Sequence, residues 1–90
     1  MQYRPSEDVV FCPVEAGAVL LHSGQEVYFG LNPVGAFIWQ QLPPVTGSLD
    51  EIVALLKAKY ADVDVQLLRA DMLELLGTLE RNGLVVAADG

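Results

Sequence analysis

The stretch EVYFGLNPVGAFIWQQL, Glu26 to Leu42, decides the fold, because two periodicities meet inside it. From Glu26 to Leu31 the pattern is that of a strand: Val27 and Phe29 fall on one face, Tyr28 and Gly30 on the other. Asn32-Pro33 then ends the strand and begins a helix in one step. Asn is among the best N-cap residues, and Pro suits the first helical turn, where its missing N–H would have no partner anyway. Beyond this point Val34, Phe37, Ile38 and Leu42 recur at helical spacing until Pro43-Pro44 blocks continuation, which predicts a helix of about three turns. Trp39 flanks that stripe. Tryptophan is enriched at binding centres, but its place beside Ile38 assigns it to the core.

Working outward towards the amino terminus, VVFCPVE, AVLLHS and EVYFGL are three short β-rich runs. Gly17 marks the first turn between them, and Ser23-Gly24 suits a tight hairpin whose preceding strand ends near Leu21 or His22. Residues 1–8 read as a mobile lead-in. Towards the carboxyl terminus, Ser48 and Glu51 have the spacing of a capping box and start a second helix with Ile52, Leu55, Leu56 and Tyr60 on its apolar face. Lys57 and Lys59 favour the end of that helix through its dipole. Asp62 or Asp64 caps a third and longest helix, which stops at Asn82-Gly83. Its core stripe is Leu68, Met72, Leu75, Leu76 and Leu79. Leu67 lies on one shoulder of the stripe beside Asp71 and Leu73 on the other near Arg69, so at least one of the two leucines is expected to be exposed or covered by a partner. The closing LVVAAD is either a short strand or a packed tail. The expected order is β-β-β-α-α-α: an α+β fold in which a three-stranded antiparallel sheet is followed by three helices.

Ninety residues, 52% hydrophobic and 19% charged, predict one compact domain over residues 1–90. The apolar runs are too short to span a bilayer, and the first fifteen residues lack the basic and apolar regions of a signal peptide, so no membrane partner is expected and the cytoplasm is the expected location. Cys12 has no disulfide partner in the chain and reads as a small, partly buried apolar residue. His22, the only histidine, reads as a surface or turn residue and has no second ligand to complete a metal site. The carboxylates sit mainly at caps and on helix faces, and neither a dinucleotide-binding glycine motif nor a P-loop is present. No catalytic group, cofactor or metal is therefore expected. Twelve acids against five bases give a net charge of −7, which opposes nucleic acid as a partner. A winged-helix transcription regulator is opposed for the same reason, since the third helix carries only Arg69 and Arg81 as cations.

An interaction module remains. A three-stranded sheet cannot close into a barrel, so it keeps edge strands whose unpaired N–H and C=O groups are able to accept a peptide as a further strand. Glu26 to Leu31 is the best candidate edge because it contains no proline.

The runs VLLHSGQEVYFGLNPVGAFIWQQL, SLDEIVALLKAKY and ADMLELLGTLERNGLV together resemble the small proteins similar to pyrroloquinoline quinone synthesis protein D, the peptide-recognition element of ribosomally made, modified peptides. The likeness covers about Val9 to Val86. It is carried most by Leu31-Asn32, by Gly35-Ala36-Phe37-Ile38-Trp39 and by Leu79 with Gly83-Leu84-Val85. The resemblance implies a winged helix-turn-helix-like domain that binds the leader segment of a precursor peptide beside its third strand and presents the rest to a maturation enzyme. Carried over by position, the leader-binding residues would be Glu26, Val27, Tyr28, Phe29 and Gly30 on the strand, with Leu67, Asp71, Met72 and Leu75 on the third helix. Arg69 and Leu73 are the alternative shoulder. A free-standing acidic chain of this pattern looks most like the leader-binding subunit of lasso-peptide systems, whose partner is a cysteine protease subunit. The alternative is a peptide chaperone of pyrroloquinoline quinone biosynthesis, working with a radical enzyme that holds an iron–sulfur cluster.

Overall fold

The computed structural model of the chain describes residues 2–42 and 48–88. In chain order the elements are β1 (Gln2–Pro5), β2 (Val9–Val14), β3 (Gly17–His22), β4 (Val27–Leu31), α1 (Pro33–Gln41), α2 (Leu49–Lys59), α3 (Val65–Arg81) and β5 (Val85–Ala88). β2, β3 and β4 form an antiparallel sheet in that spatial order, followed by the three helices, as the sequence predicts. Register follows from the alternation of side chains. Phe11, Leu20 and Phe29 stand in one row across the three strands, on the face turned to the core, and Leu20 at its centre is fully buried. Ala18 and Leu31 pair in the next row, also buried.

Each helix begins on the residue whose chemistry suits it. Asn32 accepts a hydrogen bond from the Gly35 N–H at 2.8 Å, Ser48 from Glu51 at 3.2 Å, and Asp64 from Gln66 at 2.7 Å. Pro43 and Pro44, expected to stop the first helix, lie outside the described residues. α3 ends as predicted at Gly83, whose φ of 74° is the left-handed value that glycine adopts without penalty. The Leu84 N–H then donates to the Leu79 carbonyl at 2.9 Å, and both side chains are fully buried, so the helix stop also aims the chain into β5.

The core is built by Leu68, Met72, Leu76 and Leu79 of α3 against Ile38, Trp39 and Leu42 from the first helix and its end, Ile52, Val53 and Leu56 of α2, and the inner face of the sheet. Trp39 is a core residue, as expected. Two expectations change: Leu55 is 40% exposed and Val53 takes its place inside, and Cys12 is exposed because odd and even positions of β2 face opposite ways and it shares the outer side with Val10 and Val14. Lys57, expected to act only through the helix dipole, donates to the Ala61 and Val63 carbonyls at 2.7 Å each and so closes the α2–α3 turn.

The reading of residues 1–8 as a mobile lead-in is corrected. Gln2–Pro5 pair antiparallel with Val85–Ala88, Ser6 donates to the Leu84 carbonyl, and Tyr3 is buried in the core. The closing segment is thus a strand, and the two chain ends form a second, two-stranded sheet. Truncating Tyr3 to Ala is expected to lower the unfolding free energy by about 3 kcal/mol, read from a urea titration; an unattached lead-in would give no change. Gly17→Ala is expected to cost more than about 2 kcal/mol in the same assay, because Gly17 has φ 140° and an added Cβ would lie 1.9 Å from the Leu31 carbonyl oxygen.

Candidate functional site

Among the described residues β4 pairs with β3 on one side only, so it is an edge of the three-stranded sheet. In an antiparallel strand alternate residues direct their N–H and C=O groups to opposite neighbours, which leaves half of the β4 backbone groups facing the open side. Glu26, expected in this strand, belongs instead to the turn before it: its φ is 54°, and the turn is closed by the Gln25 N–H donating to the His22 carbonyl at 3.3 Å. A left-handed residue cannot continue a β ladder, so the strand begins at Val27.

Alongside this edge lies a groove of about 380 Å³ lined by Phe29, by Asn32, Val34, Gly35 and Ile38 at the start of α1, and by Asp71, Glu74, Leu75 and Thr78 of α3. The strand-to-helix junction forms its floor. Gly35 is packed tightly within the junction itself, since a Cβ there would lie 3.2 Å from Leu31 and 3.3 Å from the Asn32 Oδ1, while Leu75 of α3 stands at ordinary contact distance. The wall contributed by Phe29, Val34, Ile38 and Leu75 is apolar, whereas Asp71 and Glu74 place two exposed carboxylates on the α3 side.

Among the predicted positions, Phe29, Asp71 and Leu75 come together in this groove. Leu67, 54% exposed, sits one helical turn before Asp71 and extends the same shoulder. The alternative shoulder is otherwise engaged: Arg69 makes a 2.6 Å ion pair with Asp50 of α2. Leu73 is exposed on that side. Val27 shares the inward face of β4 with Phe29, while Tyr28, 71% exposed, and Gly30 occupy the outer face, away from the groove. Met72 is corrected from groove wall to core, because it is fully buried and does not line the groove. Residues that sequence reasoning missed are Asn32, Val34, Gly35 and Ile38, read only for their part in the helix, and Glu74 and Thr78. The last two carry a usable signal: Asp71, Glu74 and Thr78 follow one another at the three- and four-residue spacing of a single helix face.

His22 is half-buried at the end of β3, and its Nδ1 is enclosed without a hydrogen-bond partner. Among the described residues there is no cluster of His, Cys, Asp and Glu able to hold a metal, and no helix long and apolar enough to cross a membrane. What the groove offers chemically is therefore a ladder of backbone donors and acceptors, an apolar wall and two carboxylates.

Three comparisons bear on this arrangement. The model of the family described as coenzyme PQQ synthesis protein D matches residues 17–85. Among solved structures, the chain is similar to TbiB1 in complex with the TbiA(beta) leader peptide, with a TM-score of 0.84 and 31% identity over 97% of this chain and 99% of that one. It shares the fold of a lasso peptide synthetase B1 complexed with the leader peptide, with a TM-score of 0.83 and 24% identity over 97% of this chain and 100% of the other. No match is found among curated proteins.

The division between groove shoulder and core is open to a direct test. Met72→Ala is expected to destabilise the fold by about 2–5 kcal/mol in urea, whereas Leu67→Ala changes stability by less than about 0.5 kcal/mol.

Proposed function

The chain belongs to the family of coenzyme PQQ synthesis protein D, and from that premise we propose that it is a non-catalytic recognition domain which binds the leader segment of a ribosomally made precursor peptide as a strand added to the free edge of β4. The observation that carries this reading is the coincidence of an open strand edge with a groove running beside it. Similarity to TbiB1, a chain solved with a leader peptide, supports it. The dimensions agree as well. From Leu67 to Thr78 the α3 shoulder is about 16 Å long at 1.5 Å per residue, the span of about five extended residues, and β4 itself has five.

In this mode the backbone ladder supplies affinity with little regard to sequence, while pockets for alternate side chains supply selectivity. Leader side chains turned inward would meet Phe29, Leu75 and, at the far end, Leu67. Side chains turned outward would lie beside Tyr28 and Gly30. The domain acts in the cytoplasm and hands the captured precursor to a separate maturation enzyme. A lasso-type partner, the cysteine protease subunit that removes the leader, is the preferred one, because the chain shares its fold over nearly its whole length with a lasso peptide synthetase B1 complexed with a leader peptide. Presentation to a radical enzyme of the quinone pathway is the alternative. Stimulation of leader cleavage by the protease subunit, against stimulation of the radical enzyme, separates them.

Two outcomes are expected when a fluorescent synthetic leader is titrated with the purified protein. Phe29→Ala and Leu75→Ala each weaken binding about tenfold or more, with circular dichroism confirming that the fold survives, whereas Asp62→Asn in the α2–α3 turn leaves it unchanged. Leaders N-methylated at single backbone positions lose affinity at every second residue, the signature of a strand pairing with an edge. Sensitivity at three- to four-residue intervals would instead mean that the leader binds as a helix, and strand addition would be wrong.

A further inference from the structure

The groove is apolar on one side and acidic on the other, and among the described residues no cation forms an ion pair with the acids. Asp71 and Glu74 are both exposed and stand one turn apart on α3, so their side chains share one face of the helix. Neither carboxylate has a hydrogen-bond or ion-pair partner among the described residues, and no Lys, Arg or His lines the groove. The chain has only five cationic side chains. Arg69 is paired with Asp50 on the far shoulder, Lys57 closes the α2–α3 turn, Lys59 lies over the Phe37 ring, and Arg4 is on β1. Arg81 donates to the Thr78 hydroxyl at 3.0 Å, so its guanidinium stands at the end of the groove about one turn beyond Glu74, without an ion pair to it.

An occupant that filled the apolar side with an uncharged strand would place peptide against two carboxylates and withdraw water from them without compensation, which opposes binding. A strand with a Lys or Arg on its inward face removes that penalty, because the long apolar stem of either side chain packs along Leu75 while its head reaches the acids. Inward-facing residues on a strand are two positions apart, so the basic residue stands two positions from the apolar anchor that meets Phe29 and Leu75.

Resting on the leader-binding reading above, we propose that Asp71 and Glu74 are specificity-determining residues that select a leader carrying a lysine or arginine two positions from an apolar anchor, both side chains turned into the groove. The pair is partly solvent-exposed, so its contribution to affinity is modest and its contribution to choice of partner larger.

The test is selection of a phage-displayed random peptide library against the intact protein and, in parallel, against the Asp71→Asn/Glu74→Gln double variant, which is isosteric and confined to exposed positions. Peptides taken by the native protein are expected to share an apolar residue with Lys or Arg at the fixed offset, and the basic preference is expected to vanish in the double variant. For one selected peptide, Lys→Met should weaken binding to the native protein about threefold to tenfold and binding to the double variant less than about twofold, with the difference shrinking at high salt. Selected peptides with apolar anchors but no fixed basic position, or an equal loss from Lys→Met in both proteins, would overturn the inference and leave the groove reading standing. Failure to select any peptide that competes for the β4 edge would overturn both.

Discussion

The close approach of the Gly17 backbone to the Leu31 carbonyl is the constraint on which the remaining structure depends. No side chain fits there, so the first residue of β3 lies directly against the end of β4, where Leu31 is buried and paired with Ala18. One residue later Asn32 turns its side chain onto the Gly35 N–H and the helix begins. Strand direction, helix start and hairpin origin are thereby locked into one unit. Gly35 packs tightly against the same spot, close to both Leu31 and the Asn32 side chain. The groove is what remains open beside this junction, which is why its floor is made of residues that look purely structural.

A sheet of three strands has two edges, and here they differ. β2 carries Pro13, which has no N–H to donate and interrupts any ladder on that side. β4 has no proline and is bordered by a groove with both apolar and charged surface. A net charge of −7 opposes nucleic acid, and the acids of α3 contribute to it where a winged-helix DNA reader would carry cations. One strand edge is therefore blunted and the other supplied with the pockets that a selective peptide site needs.

How much of this was legible in the sequence follows from the range of the interactions involved. Local signals are legible: the alternation of Val27 and Phe29, the Asn32-Pro33 boundary, the Ser48 cap and the Gly83 stop each depend on a few neighbouring residues, and of the two aspartates offered for the third helix Asp64 is the cap. The β1–β5 sheet is not legible in this way, because its partners stand at opposite ends of the chain and Tyr3 alone carries the inward pattern of β1. Glu26 was misplaced because a left-handed turn residue leaves no mark on a polar-apolar alternation. Met72 and Leu75 share one stripe, and periodicity shows that both face inward without showing which one lies at its rim; only the position of α3 against α1 and β4 separates the buried methionine from the half-exposed leucine. The same packing chooses the Asp71 shoulder over that of Arg69, whose ion pair with Asp50 ties it to α2.

Backbone amide hydrogen exchange, followed with and without the synthetic leader, tests the central claim most directly. Strand addition predicts that alternate amides of Val27–Leu31 become protected on binding while those of β2 do not change. Saturable leader binding that leaves the β4 amides exchanging as before, with new protection on β2 or on the β1–β5 sheet, would contradict it.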